Sequence, residues 1–544
     1  MYKVVISDRN YLHYRFFDNV NNEIMLPINP LNLKLFNDSF FQYNLISEKI
    51  TNIQKPMLND IPGVLLLNKT FGKYKNKFLY KCVPYDTSLP IFLLPYKVVL
   101  GFNKEAVNKY VRFSFLHWND KHPIGELIET IGDVNDISSY YQYELVFRNI
   151  KHSIKSLQSY AVKQVKEIND ATIQDIKTKY NCEDYTDSNK NYIFTIDPSD
   201  CKDFDDAVSI SNNIINVYIA NVAVWLDYFK LWDHMSDRVS TIYLPNSKIP
   251  MLPSILSDDI CSLRKNEKRF AICMSLVIEN NEIINVSFKN TMIKVANNFV
   301  YDENKLEKNL HYQSLFHILS TLKNTFNIKI KNSHDIIMYL MIVMNYYCSL
   351  RLKKNKIGIF REVNIGDNKN TTPVKISILP DKVKTFYRLY KNVCAHYTIE
   401  PGNYDSLYHD FLESYVHITS PIRRMVDLLN LIQFQSSEHI YRFSDKALLF
   451  YDRWINKLSI INKDMKSIRK LQNNAILLNY FNKDFNKIYD GYICEKNMIY
   501  IPEIHLLTKI KEREKVNCCD LVKVKLFYFL NEANFKQKIK VQYI

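Results

Sequence analysis

Ten consecutive positions, DPSDCKDFDD, hold Asp197, Asp203, Asp205 and Asp206, with Asp200 in the turn between them. Carboxylates at this density repel one another, and a chain tolerates that if the loop is solvated or if cations sit between the charges. A hard divalent cation such as Mg²⁺ takes a few carboxylate oxygens and keeps several waters, which suits exchange with a substrate. An acidic surface turn is the alternative for the same residues. β-prone runs flank the acids, Tyr192–Ile196 before and Ala207–Ile210 after, so the acids fall at a strand end and in the loop that follows. In an extended chain Asp203 and Asp205 point one way and Asp206 the other, so convergence requires an irregular backbone.

Two further groups of residues could do chemistry. In HITSPIRRMVDLLN, residues 417–430, Thr419 or Ser420 can cap a helix, Pro421 suits its first turn, and Met425, Val426, Leu429 and Ile432 form an apolar stripe. Free N–H groups at that helix end, together with Arg423 and Arg424, would bind a phosphodiester. The alternative is a surface cap in which Arg423 pairs with Asp427 four residues on. In TFGKYKNKFLYKC, residues 70–82, Lys73, Lys75, Lys77 and Lys81 alternate with Phe71, Tyr74, Phe78 and Tyr80. Phosphates meet lysines and bases stack on rings in single-stranded nucleic-acid sites, although an amphipathic strand with solvated lysines shows the same pattern.

The elements that must position these groups follow from pattern. A chain of 544 residues with 47% apolar content has ample core and spans several domains. Lys and Arg number 72 against 57 Asp and Glu, an excess of 15, which favours a polyanionic partner. Abundant Lys, Asn, Ile and Tyr beside only 9 Gly also fit an AT-rich coding genome. The 10 cysteines are scattered with no C-x-x-C pair, only Cys518 and Cys519 being adjacent, so a reducing compartment is expected. The start lacks the apolar segment of a signal peptide, and the run Ile336–Leu350 is too short to span a bilayer and reads as a buried helix. A soluble, intracellular, cytoplasmic and monomeric protein is expected.

Short apolar runs such as KVVIS, GVLLL and KFLYKCV alternate with polar turns through the first 92 residues, the pattern of a small β-barrel. KVVLGF, YVRFSFLHW and YYQYELVF read as strands of a second β unit, broken at Asp120–Pro123 and Gly125. His117 and Trp118 read as structural. Residues 155–180 have helical spacing, and DLVKVKLFYFL and KIKVQYI near the end return to alternation.

The aspartate stretch TIDPSDCKDFDDA, residues 195–207, resembles the TIDP-x-D-x-K-D-x-D-D-A signature of the ribonuclease II / ribonuclease R (RNB-domain) family. LPNSKIPMLPSILSDDICSL (244–263) is similar to a second block of that family, and HITSPIRRMVDLLN to a third. The departures are also specific. Tyr218 and Asn221 stand where the family's HIADV strand has His and Asp, Met338 stands near a usual acid while Asn345 is kept, and RKLQNNAILL (469–478) lacks a glutamate. Composition and length look most like versions from large DNA viruses.

The resemblance implies an α+β multidomain chain: an N-terminal OB-fold (cold-shock-like) domain at 1–92, a second OB-fold-like domain with a connecting helix at 93–180, an α/β RNB catalytic domain at 181–482, and a C-terminal OB-fold-like domain at 486–544. It implies a Mg²⁺-dependent 3′→5′ exoribonuclease, with Mn²⁺ as a possible substitute ion, that hydrolyses single-stranded RNA to nucleoside 5′-monophosphates. Asp197, Asp203, Asp205 and Asp206 would hold metal, with Asp205 most needed in the chemical step. Arg423 would stabilise the scissile phosphate, and Tyr243, Arg424, Lys73, Lys75 and Lys77 would bind RNA. The chief rival is an inactive RNA-binding relative, and a DNA nuclease with the same metals is a third reading.

Overall fold

The computed structural model describes all residues except 45–48, 99–105, 324–325, 327, 364–394, 403, 407–408, 496, 505, 512–515, 518–519 and 532–535. One unit comprises Met1–Lys151, Asn473–Tyr489 and Lys523–Ile544. It begins with an antiparallel five-stranded sheet drawn from residues 2–54. The strands Ile61–Tyr74, Lys77–Pro84, Phe92–Tyr96, Lys109–His117 and Ile124–Asp133 then close into a barrel, the five-stranded form typical of OB-folds. Sheet and barrel share one apolar core that includes Val4, Phe16, Phe36, Phe41, Leu65, Phe92 and Phe113. Burial of these apolar faces away from water drives the packing.

The boundary expected at residue 92 falls inside this barrel, because alternation reveals strands but not which strands pair. Gly125 lies within a barrel strand and does not break it. A Cβ there would come within 2.7–2.8 Å of Leu94, Phe113 and the Ser114 carbonyl, so closure of the barrel requires glycine. The segment Tyr140–Phe147, expected as a strand, is helical over Ile137–Phe147. Asp136 caps it by accepting from the N–H groups of Ser138 and Ser139, and burial of Tyr140, Tyr141, Tyr143 and Leu145 outweighs their β propensity. Most of KVVLGF lies outside the described residues.

The second unit comprises His152–Gln472 and Asp490–Val522. The helical run at 155–180 is two helices, Lys155–Val165 and Asp170–Lys179, the latter opened by an Asn169 capping box. A mixed six-stranded sheet follows, in the order Glu183–Tyr185, Glu282–Val300, Ile193–Asp197, Asp206–Ser211, Ile214–Ala220 and Lys268–Glu279, with the last also pairing to Glu282–Val300. Helices Ser333–Lys354 and Met425–Ser437 supply much of the remaining core. The expected buried helix is the first of these, with Ile336, Leu340, Val343 and Met344 enclosed. Among the described residues no helix is long and apolar enough to cross a membrane.

Candidate active site

Strands Ile193–Asp197 and Asp206–Ser211 lie side by side with Phe194 opposite Val208, so the chain leaves the sheet at one aspartate and returns at another. The loop between them is latched from outside. The Phe204 N–H donates to Ser262 Oγ at 3.0 Å, and that hydroxyl donates to the Lys202 carbonyl at 2.8 Å. Leu263 N–H donates to the Phe204 carbonyl at 3.0 Å, and Ala220 N–H to the Asp205 carbonyl at 2.8 Å. These bonds satisfy irregular backbone that would otherwise be unpaired, which gives the Cys261–Leu263 block a structural task.

The four aspartates divide two and two. Asp205, 3% exposed, accepts from the Ile422 N–H at 3.0 Å and from Arg423 Nε at 2.8 Å. Burial pushes its pKa up to about 7 against the pull of Arg423. Burial works most strongly against the charge on Arg423, but Asp205, Tyr243 and Asp427 together outweigh it and the arginine pKa rises. Asp203 has Lys248 Nζ at 2.7 Å from Oδ1 and receives the Tyr243 hydroxyl on Oδ2 at 3.4 Å. Asp197 and Asp206 form no ion pair among the described residues, although the charge of Arg423 pulls the pKa of both down. Burial and then mutual repulsion raise Asp206 to about 8, while burial and the charge of Asp205 contribute to raising Asp197 to about 7. The buried Oδ2 of Asp197 has no hydrogen-bond partner.

Arg423 and Arg424 precede the helix. The N–H groups of Arg423 and Arg424 donate to the Ser420 carbonyl at 3.2 and 3.0 Å, while Thr241 N–H donates to the Arg423 carbonyl at 3.0 Å and Met425 N–H to the Val239 carbonyl at 2.9 Å. The last two bonds divert the Arg423 carbonyl and the Met425 N–H from the pairing a helix continued from Ser420 would give them, so the helix starts at Met425 and Arg424 is extended. Arg423 is instead aimed by the turn, its Nη2 donating to Ser420 Oγ at 2.8 Å. The pairing of Arg423 with Asp427 is not formed. Asp427 is fully buried and accepts from Arg424 Nη2 at 2.9 Å and the Ser420 N–H at 2.8 Å.

A cavity of about 1140 Å³ opens over these groups. Its lining includes the polar groups Asp197, Asp205, Asp206, Lys248 and Arg423 and the apolar Ile337, Met338, Met341 and Ile342. Asn345, also in the wall, accepts from the Ile418 N–H and donates to the Tyr415 hydroxyl, both at 3.0 Å. His417 is also in the lining, with the Tyr397 hydroxyl at 2.8 Å and Arg424 at 3.3 Å. Burial, Arg424 and Arg361 hold its pKa well below the usual imidazole range, so the ring is neutral.

Tyr243 sits at the cavity and is 40% exposed, so it is no core tyrosine. Tyr218 and Asn221 are buried, Tyr218 bonded to Ser209 and Asn221 to Asn290 and Gln435. In the first unit, Lys73, Lys75 and Lys77 are exposed on the hairpin of Ile61–Tyr74 and Lys77–Pro84. Lys73 Nζ lies 4.8 Å from the Phe78 ring centre and Lys75 Nζ 5.5 Å from that of Tyr74, within cation–π range. Sequence reasoning missed Lys248 and His417. The only signal for Lys248 is a lone charge inside the otherwise uncharged LPNSKIPMLP.

Among the described residues no three His, Cys, Asp or Glu side chains are gathered as ligands of one ion. The pair Asp197 and Asp206 nevertheless fits a hard divalent cation. It offers carboxylate oxygens, one of them buried and unpartnered, and the Asp197 charge raises the Asp206 pKa, the charge of Arg423 offsetting only part of the shift.

Residues 183–311, which include the aspartate loop, match the family model for the RNB domain. A stretch of 117 residues is 37% identical to ribonuclease R of Chlamydia trachomatis, covering 20% of this chain and 17% of that one. The chain spans about half the length, or less, of the curated relatives it matches. Among solved structures, the apo form of Mycoplasma genitalium RNase R has a TM-score of 0.68 at 16% identity over 100% of both chains, and its complex with ribose-methylated single-stranded RNA scores 0.66 over the same span. Yeast Ssd1, described as a pseudonuclease, scores 0.52 at 14% identity over 85% of this chain and 66% of that one. At these identities the structural likeness is one of fold. Residues 183–311 therefore match an RNB domain, and the chain as a whole shares its fold with RNase R.

Proposed function

We propose that the chain is a divalent-metal-dependent 3′→5′ exoribonuclease that hydrolyses single-stranded RNA to nucleoside 5′-monophosphates. The observation that carries this reading is the Asp197–Asp206 pair, which forms no ion pair among the described residues and lines a cavity that also presents the Arg423 guanidinium. Asp197 and Asp206 hold the ion, Mg²⁺ or Mn²⁺ in its place, and when bound it supplies Lewis acidity toward the scissile phosphodiester. Asp205 fixes Arg423 at 2.8 Å, and Arg423 meets charge that develops on the phosphate. Tyr243 offers a half-exposed ring for a base, and the Met338 side of the cavity offers apolar contact without sequence readout. Arg424 is engaged by Asp427, so its part is to position the turn that carries Arg423. The lysines of the first-unit hairpin bind RNA phosphates.

A second reading, an RNA-binding protein without turnover, is favoured by one observation: Lys248 and Arg423 already neutralise two of the four aspartates. One experiment separates the readings. Purified chain is incubated with 5′-labelled single-stranded RNA in Mg²⁺ and in EDTA. Stepwise shortening in Mg²⁺ that stops in EDTA supports the enzyme. No shortening over a range of Mg²⁺ and Mn²⁺ supports the binding protein, and equal loss of a matching DNA supports a nuclease without sugar preference.

A further inference from the structure

We propose that Lys248 is a built-in cation that stands in place of a second divalent ion, so that the aspartate loop takes a single ion, at Asp197 and Asp206. The proposal rests on the reading of this loop as a divalent-cation site, and it follows from counting charges and engaged oxygens.

Four carboxylates enter the site from one loop, and two protein cations meet them. Lys248 Nζ lies 2.7 Å from Asp203 Oδ1 and 3.3 Å from Asp258 Oδ1. Arg423 Nε lies 2.8 Å from Asp205 Oδ2. The second oxygen of each of these aspartates is also engaged, by the Tyr243 hydroxyl at 3.4 Å for Asp203 and by the Ile422 N–H at 3.0 Å for Asp205. Both oxygens of each carboxylate thus already face protein donors, and each carboxylate charge already has a protein cation beside it. The remaining two, Asp197 and Asp206, form no ion pair among the described residues, and together they carry the charge that one divalent cation balances.

Lys248 is held where it is by more than its charge. It lies directly opposite Tyr243 in the short hairpin of Ile242–Leu244 and Ser247–Ile249, so one hairpin delivers both groups that occupy Asp203. Asp258 is itself fixed by the Ser257 hydroxyl, which donates to it at 2.7 Å. The ammonium is therefore clamped between two carboxylates, with the Lys248 side chain 29% exposed and that of Asp203 only 7% exposed. A partly buried pair of this kind is weakly screened by salt. A lysine offers a compact point charge, as a metal ion does, but no coordination sites for a substrate oxygen. The chain thus supplies one positive charge whose presence does not depend on divalent ion concentration, and leaves one place that does.

The test counts ions. RNA-free full-length chain is titrated with Mn²⁺, and bound ion is read by the loss of the free-ion paramagnetic resonance signal. Only ions lost on introducing Asp197→Asn or Asp203→Asn are counted. We expect one Mn²⁺ in the native chain, lost in Asp197→Asn. Lys248→Gln, which keeps a polar side chain and removes the charge, should bind two, the second lost on adding Asp203→Asn. Lys248→Arg, which restores a cation, should return to one. A thermal melt of each variant checks that it is folded, and Lys248→Met replaces Lys248→Gln if the latter is not. Two ions in the native chain, or one in both the native chain and Lys248→Gln, would overturn the role of Lys248 while leaving the cation site intact. No counted ion in any of them would overturn the cation-site reading itself.

Discussion

Replacing Asp206 by asparagine should stabilise the metal-free chain at alkaline pH, a gain that runs against the usual cost of altering a buried polar residue. Burial and the facing Asp197 raise the Asp206 carboxyl from 3.8 to about 8. At 1.36 kcal/mol per pH unit, ionising it in the fold costs on the order of 5 kcal/mol more than in the unfolded chain. The side chain is not fully enclosed, and solvent screening reduces this to on the order of 3 kcal/mol. The sign follows from linkage. The folded state holds this proton more tightly, so stability is greatest below the unfolded pKa near 4, falls as pH rises, and levels off above about 8. The asparagine variant has no charge to relieve at this position, so its stability should be flat over the same window apart from the contribution of Asp197. The assay is thermal melting of native and Asp206→Asn chains at pH 5 and pH 8.5, each in EDTA and in Mg²⁺. In EDTA at pH 8.5 the variant should melt several degrees higher, and at pH 5 the gap should shrink. Mg²⁺ should raise the native midpoint and leave the variant unmoved. A variant that melts lower than the native chain in EDTA at pH 8.5, or that responds equally to Mg²⁺, refutes the pairing of Asp197 with Asp206.

Asp205→Asn should reduce turnover by several orders of magnitude and preserve RNA affinity, because it removes the charge that fixes Arg423 while keeping shape; near-native turnover would remove Asp205 from the chemistry. Arg423→Ala should slow single-turnover cleavage at saturating protein while RNA affinity, spread over many lysines, changes little. Arg423→Lys should recover only part of the rate, since one ammonium cannot reproduce the planar fork that donates to both Asp205 and Ser420. Unchanged cleavage in the alanine variant would leave the arginine as a structural partner of Asp205 alone.

The aspartate loop was legible because its signals are local: β-prone runs on either side of the acids become the strands that end at Asp197 and begin at Asp206. The buried helix around Ile336–Leu350 was legible from its period. What escaped depends on partners distant in sequence. Tyr140, Tyr141 and Tyr143 carry β propensity, yet an Asp136 cap and burial on one face make them helical. Ser420 and Pro421 look like a helix start, but bonds from Val239–Thr241 claim the backbone first. The division into two and two among the aspartates was not readable either, because it is set by groups from distant segments. Tyr243, on the hairpin that carries Lys248, is 40 residues from Asp203, and Arg423 is 218 residues from Asp205.

The latch at Ser262 has a kinetic consequence. Its bonds to Lys202 and Phe204 join segments 60 and 58 residues apart, and contacts of such separation form only after the intervening chain has been ordered. The acidic loop is therefore expected to close late, onto a sheet that already exists, sparing the early folding chain from gathering its negative charges before there is structure to hold them. A Ser262→Ala chain should then show its loss mainly as faster unfolding, with the folding rate almost unchanged.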